Sequence, residues 1–103
     1  MAKTETIPWD AADHLDSPAA VVAYLNAAFE DGDPAVIAAA LGDVARSRGM
    51  SAVARDAGLG RTSLYKALSE DGKPEFSTVM RVVQSLGLRL SVALVETPKA
   101  PGL

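Results

Sequence analysis

The chain has 103 residues, and its 49% hydrophobic and 22% charged residues exclude an intrinsically disordered protein. This length leaves room for a single domain. The absence of cysteine excludes disulfide scaffolds, zinc sites built on thiolates and thiol nucleophiles. No apolar run reaches the roughly 18 residues of a membrane-spanning helix, and the first residues lack the apolar core of a secretion signal. We therefore expect a soluble cytoplasmic protein without membrane association.

The net charge of −3 is distributed unevenly along the chain. Residues 1–45 contain one basic and eight acidic residues, whereas residues 46–89 contain eight basic and four acidic residues. This asymmetry favours a polyanion as the partner of the second half and a basic partner for the first. The alternative is ordinary surface charge that keeps the protein in solution.

The sequence divides into an arm, a helical domain, a strand and a tail. Residues 1–16 are polar and irregular, and we expect Trp9 to fix this arm to the rest of the protein. Helical signals occupy residues 17–87. Residues 88–95 are predicted to form a strand, and the proline-containing residues 96–103 a frayed tail.

Two helices are predicted in the first half of the domain. A serine-proline pair at residues 17–18 and an aspartate-proline pair at residues 33–34 each combine a capping residue with a proline at the first helical position. Apolar residues then recur at helical spacing, and we expect the two helices to end at Gly32 and Gly49.

Three shorter helices are predicted in the second half. The first begins at a Ser51 cap and ends at Gly58, and the second spans residues 61–68. A turn-rich loop follows, and the last helix is expected to begin at a Ser77 cap and to end at Gly87.

The strand at residues 88–95 is predicted from a period of two, in which large apolar residues at the even positions alternate with Arg89, Ser91, Ala93 and Val95. Because a lone strand leaves its backbone without partners, it requires a second strand. Two partners are considered: the weak strand signal at residues 3–7, or the same strand of a second copy across a two-fold axis. The second choice gives a homodimer held by Leu88, Leu90, Val92 and Leu94.

Residues 51–68 have the spacing of a helix-turn-helix unit. Ala54 is the small residue at the helix crossing, Gly58 lies in the turn, and Leu64 anchors the second helix. Such a second helix fits the major groove of duplex DNA, where its side chains reach base edges and phosphates. The alternative is a purely structural helical corner. The predicted DNA-facing residues are Arg61, Thr62, Ser63, Tyr65 and Lys66.

Residues 37–88 resemble the Xre/lambda-repressor class of helix-turn-helix domains, especially in the run GKPEFSTVM at residues 72–80 and in LGL at residues 86–88. More narrowly, the chain is similar to HigA-like addiction-module antidote proteins. This resemblance implies a five-helix fold and a dimer that represses its own operon. It also implies neutralisation of a RelE/HigB-like ribonuclease toxin. The segments that carry it are WD at 9–10, VAYL at 22–25, GDP at 32–34, AAALGD at 38–43, VARD at 53–56 and SLYKAL at 63–68.

One departure from the lambda-repressor pattern concerns the start of the first helix of the unit. That helix is about two residues shorter than in the lambda repressor, and the glutamine that often contacts DNA there is missing. We expect Ser51 and the free amides of the helix start to bind a phosphate instead.

The acidic first half suits a toxin that must be basic to hold RNA. Trp9 and Tyr24 are candidate anchors for such a partner, with Asp10, Asp13 and Asp16 as charge partners. Alternatively, Trp9 packs on the protein's own core, and the acidic residues stabilise helix starts.

No pattern indicates catalysis, a metal site or a cofactor. His14 is the single histidine and lies among acidic residues, where we expect it to be solvated. No pair of acidic residues has neighbours that would raise the pKa of one carboxyl group and lower that of the other. No glycine-rich phosphate loop follows a strand. We therefore predict a non-enzymatic antitoxin, with a stand-alone phage-type repressor or an interaction module that has lost DNA binding as alternatives.

Overall fold

The computed structural model describes residues 10–69 and 71–95, and within them the protein is helical. The prediction of a mainly helical domain is confirmed. Trp9, the strand signal at residues 3–7 and the tail at residues 96–103 lie outside the described residues. A 3₁₀ turn at Ala11–His14 precedes five helices: α1 Pro18–Asp31, α2 Pro34–Arg48, α3 Met50–Ala57, α4 Arg61–Ala67 and α5 Phe76–Ser85.

The first two helices begin and end where the sequence predicts. The Ser17 side chain accepts a hydrogen bond from the Ala20 amide at 3.1 Å, which caps α1. In the same way, the Asp33 carboxylate caps α2 through the Ala35 amide. Each helix has a proline at its first position and a glycine after its last.

The predicted serine caps of α3 and α5 are wrong. Helix α3 begins one residue before Ser51, since the Val53 amide bonds to the Gly49 carbonyl and the Met50 side chain is buried. Helix α5 begins one residue before Ser77, and neither helix has a side-chain cap. The backbone of the preceding residue, rather than a serine hydroxyl, therefore sets each start.

The core forms where α2 and α3 meet their neighbours. Helix α1 packs on α2, and α3 contacts α2, α4 and α5. At least one side chain from each of α2, α3, α4 and α5 is almost wholly removed from water. Full burial of an aliphatic side chain contributes roughly 1.5–3 kcal/mol to stability. The most deeply buried side chains are Leu41, Val44, Val53, Leu64, Val82 and Val83.

Helix α2 approaches the end of α4 closely at Gly42. A Cβ atom at this buried position would lie 2.6 Å from the Leu68 carbonyl oxygen. Glycine is therefore required here for space, since its φ angle is not in the left-handed region. The contact fixes the carboxyl end of α4 against the core.

The predicted strand at residues 88–95 is not seen in the single chain. A strand is defined by hydrogen bonds to a second strand, and residues 89–95 donate and accept no backbone hydrogen bond with another described residue. They follow α5 as an irregular segment that begins when the Leu88 amide bonds to the Val83 carbonyl.

Candidate nucleic-acid interface

Helices α3 and α4 form a corner around a glycine turn. Gly58 has a φ angle of 72°, which strongly favours glycine, and its amide bonds to carbonyls in the last turn of α3. The Leu59 amide bonds to the Ala54 carbonyl at 2.8 Å, and the Leu59 side chain packs against the core. These contacts fix how the chain leaves α3 and enters α4.

The inner side of the corner is anchored as predicted. Leu64, in the middle of α4, has 0% of its surface exposed, and Ala54 on α3 has 3%. Val53 and Leu68 are also buried, and Ala67 is half-buried. Because one buried leucine fixes the short helix α4, the direction of its opposite side is fixed as well.

The opposite side of α4 is exposed to solvent. Tyr65 is 45% exposed, and the Arg61 guanidinium lies over its ring at 5.5 Å from the ring centroid. This cation–π contact holds the Arg61 side chain against Tyr65, one turn further along the helix. Within residues 10–69 and 71–95, no acidic side chain pairs with Arg61 or Lys66. The outer face of α4 consists of Arg61, Thr62, Ser63, Tyr65 and Lys66, all of them exposed.

Ser51 lies in the first turn of α3 and is exposed. It is the second residue of the helix rather than its cap, so its hydroxyl does not satisfy the helix start. The first amides of α3 have no side-chain cap, so the exposed Ser51 lies next to a helix start that no side chain satisfies.

A depression beside α4 is lined by a lysine, Lys73, that was not predicted from the sequence to contact DNA. A Cβ atom at Gly72 would lie 2.1 Å from the Ala67 carbonyl oxygen, so glycine lets the loop fold back onto α4. Lys73 thereby lines the same depression as Lys66. The GKP run at residues 72–74 was the available signal. The lining residues are Ser63, Lys66, Ala67, Ser69, Asp71, Gly72 and Lys73.

The candidate toxin-binding residues lie in the first half of the sequence, and two of them, Asp10 and Tyr24, form side-chain hydrogen bonds within the chain. The Arg46 guanidinium donates two hydrogen bonds to the Asp10 carboxylate, at 2.8 and 3.1 Å, and a third to Asp43. Arg46 lowers the pKa of Asp10, and this hydrogen bond raises the pKa of Arg46. Asp13 and Asp16 are exposed.

Tyr24 belongs to the same group of contacts. Its hydroxyl donates a hydrogen bond to the second oxygen of Asp43. Partial burial, followed by this bond to a carboxylate, raises the pKa of Tyr24 to about 12. We name Asp10, Tyr24, Asp43 and Arg46 the arm network, because it joins the arm at Asp10 to α1 and α2.

The segment after α5 borders an apolar groove of about 400 Å³. Leu88 and Leu90 pack against the core, whereas Val92 and Leu94 are 98% and 96% exposed. At the other edge of the groove, Phe76 is 71% exposed. The four predicted dimerisation residues therefore divide into two that pack against the core and two that are almost wholly exposed.

Two further properties of the described residues concern metal binding and membrane association. Within residues 10–69 and 71–95, no group of three histidine, aspartate or glutamate side chains is arranged to hold a metal ion. None of the helices described above has both the length and the apolar character needed to span a membrane.

Comparison with known proteins identifies the family. Residues 5–94 match the family described as "Probable addiction module antidote protein". An uncharacterized protein of Haemophilus influenzae is 48% identical over 84 residues, which cover 82% of this chain and 87% of the relative. No solved structure matches the chain. Since the match covers 90 of the 103 residues, the chain belongs to this family of addiction-module antidote proteins.

Proposed function

We propose that this protein is the DNA-binding antitoxin of a type II toxin–antitoxin module. As a HigA-like member of the Xre class, it binds its operator in the cytoplasm as a homodimer and represses its own operon. It also neutralises a RelE/HigB-like ribonuclease toxin. The family description supports the antidote role. The observation that carries DNA binding is the exposed, polar outer face of α4 above the fully buried Leu64.

The outer face of α4 has the chemistry of a DNA-reading helix. Arg61 offers a fork that matches the two acceptors of guanine in the major groove. The hydroxyls of Thr62 and Ser63 contact phosphates or bases, and Tyr65 contacts a phosphate or a thymine methyl group. Lys66 neutralises a phosphate. The stacking of Arg61 on Tyr65 holds the fork in place before DNA arrives.

Contacts to the DNA backbone lie on both sides of this helix. Ser51 and the uncapped amides at the start of α3 suit one phosphate. Lys66 and Lys73 line one depression and suit another. Such contacts fix the position of the protein on the duplex, so that Arg61 meets a defined base pair.

The operator is bound by two copies related by a two-fold axis. Leu88, Leu90, Val92 and Leu94 form the pairing segment, whose backbone groups at residues 89–95 have no partner among the described residues. A symmetric dimer presents two copies of α4 to two half-sites of the operator.

The toxin is bound through the acidic first half. Trp9 and Tyr24 act as anchors there, and Asp10, Asp13 and Asp16 supply negative charge against a basic, RNA-binding surface. Since Asp10 is paired with Arg46, the exposed carboxylates of Asp13 and Asp16 contribute most to steering.

A stand-alone phage-type repressor and an interaction module without DNA binding are the alternatives. The antidote description of the family favours a protein with a toxin partner over both. A short adjacent reading frame for a small basic RelE-like protein separates the antitoxin from the stand-alone repressor. Salt-dependent operator binding separates both from the interaction module.

The test measures binding of the purified protein to the DNA upstream of its own gene between 50 and 200 mM salt. Neutralisation of 6–10 phosphates lowers affinity by roughly 10³–10⁵-fold over this range. Co-expression with the adjacent reading frame should yield a complex that co-purifies and lacks ribonuclease activity. Binding that is equal on unrelated DNA, or absent, contradicts the proposal.

A further inference from the structure

We propose that the apolar groove between α1, the start of α5 and residues 88–92 receives Leu94 from a second copy of this chain, with Val92 paired to itself at the two-fold axis. This inference rests on the homodimer of the proposed function, but it does not depend on DNA binding or toxin binding. It adds a register and a new interface residue, Phe76.

The groove is an apolar surface that no described residue covers. Val22, at 42% exposure, and Phe76, at 71%, border it on α1 and α5. Leu90 lies along its third side, packed against the core. Exposed apolar patches of this kind, next to a segment with open backbone groups, are typical of protein interfaces.

The residues that follow Leu90 continue its pattern beyond the edge of the domain. Leu88 and Leu90 contact the core, and Arg89 between them is exposed. Val92 and Leu94 lie two and four residues further on and are almost entirely exposed. They therefore have the side chains of a core-facing strand without any described neighbour to cover them.

Symmetry decides which side chains can meet if two such segments pair. If the two-fold axis is perpendicular to the plane of the two-stranded antiparallel sheet, a given residue lies on the same face of the sheet in both copies. Even-numbered residues therefore lie opposite even-numbered residues, and the shared face is apolar throughout. The odd-numbered face, with Arg89 and Ser91, remains in solvent.

If the two-fold axis passes between the two copies of Val92, residues 89–95 of one copy pair along their full length with residues 95–89 of the other. In this register Leu94 of the second copy lies opposite Leu90, which borders the groove beside Phe76. Arg89 lies opposite Val95, so that like charges do not meet. The strand pair alone is short, and packing of Leu94 against Phe76 and Val22 adds the apolar area that a stable dimer needs.

This occupant is favoured over the toxin by self-complementarity. Residues 88–95 contain one charged side chain, Arg89, so the segment offers little to attract a basic, RNA-binding protein. In contrast, the apolar even-numbered side chains and the free backbone groups of this segment are matched in spacing and length by the same segment of a second copy.

The chain has no cysteine, so a single introduced cysteine reports the register directly. Directly opposite residues have Cα atoms about 4.5–5.5 Å apart, within disulfide reach. We expect Val92→Cys to form a disulfide-linked dimer under mild oxidation at least ten times faster than the matched control Ala93→Cys. In the proposed register, the two cysteines of the control are offset by two residues and lie beyond disulfide reach.

A second pair of variants tests the groove in the full-length chain. Phe76→Glu is expected to weaken the dimer at least tenfold in sedimentation equilibrium, and Val92→Glu at least as strongly. Because both side chains are exposed, the helical circular dichroism spectrum should not change. Arg81→Glu, on the exposed side of α5, is the control that should leave the dimer intact.

Three results would overturn the inference. Faster linkage of Ala93→Cys would move the axis to residue 93, and a Phe76→Glu protein that dimerises normally would exclude the groove. A wild-type chain that stays monomeric at 100 µM would exclude the paired segment, and if Val92→Glu then weakened binding of the co-expressed toxin, the toxin would be the occupant. Loss of operator binding by a linked Val92→Cys dimer would instead contradict the proposed function and leave this interface standing.

Discussion

Two polar regions of this small protein differ in whether their charged side chains are paired with an opposite charge within the described residues. In the arm network, Arg46 is enclosed by Asp10 and Asp43, and the Tyr24 hydroxyl donates to the second oxygen of Asp43. On the outer face of α4, Arg61 is held against the Tyr65 ring, and no described carboxylate pairs with it. Polar groups that are satisfied within the chain stabilise its fold, whereas cations without an internal anion favour an external one.

The cations of the basic second half are not equally available to an external partner. Arg46 comes from the basic half of the sequence but is neutralised by two acidic residues of the first half. Arg55 is exposed beside Asp56. The cations that remain for an external partner near the corner are Arg61, Lys66 and Lys73.

The largest effect is expected when the anchor beneath the outer face is removed. Leu64→Ala should lower the free energy of unfolding by about 2–5 kcal/mol, since a fully buried leucine leaves a cavity. Urea denaturation measures this loss. Tyr65→Ala, one residue further on the exposed side, should lower it by less than about 1 kcal/mol. Equal losses would mean that the two faces of α4 are not divided as described.

A second variant tests the position of α4 rather than its chemistry. Gly42→Ala places a Cβ atom against the Leu68 carbonyl oxygen, and relief of this clash should cost about 1–3 kcal/mol of unfolding free energy. Gly60→Ala is the control, because a Cβ atom there meets nothing closer than the Ser63 hydroxyl at 3.8 Å. A Gly42→Ala protein as stable as the wild type would contradict the close contact of α2 with α4.

The smallest effects are expected in the arm network. Tyr24→Phe removes one hydrogen bond to a carboxylate and should lower the free energy of unfolding by about 0.5–1.5 kcal/mol at neutral pH. Unfolding curves of the two proteins measure the difference. If Tyr24→Phe matched the wild type, the bond to Asp43 would contribute nothing to stability.

The same pair of proteins gives a pH dependence with a defined sign. The Tyr24 pKa is about 12 in the folded protein, above its ordinary value of 10, so the folded state keeps a proton that the unfolded state loses. The stabilisation is complete below pH 10 and is lost as pH rises toward 12. The difference between wild type and Tyr24→Phe should shrink over that interval. A constant difference would contradict the raised pKa.

Local sequence signals predicted the helices and the inner side of the corner well. The Ser17 and Asp33 caps, the terminal Gly32 and Gly58, and the buried Leu64 all follow from residue type and spacing. These features depend on contacts within a few positions of the chain. Periodicity alone can therefore detect them.

Features set by distant contacts were not predicted. Asp10 and Arg46 are 36 positions apart, and no local pattern indicates that they pair. Ser51 is a good cap by type, but burial of Met50 starts α3 earlier. The alternation at residues 88–95 was visible, yet a strand depends on a partner that a single chain does not supply among its described residues.

The central claim is that the outer face of α4 reads DNA while the arm network does not. It is tested most directly by the affinity of Arg61→Ala for operator and random DNA, with Arg46→Ala as the matched arginine control. We expect Arg61→Ala to lose about 5- to 150-fold on the operator and less on random DNA, and Arg46→Ala to bind the operator like the wild type. Equal losses on both DNAs would reassign Arg61 to a phosphate contact. Unchanged operator binding by Arg61→Ala, or a larger loss in Arg46→Ala, would contradict the account.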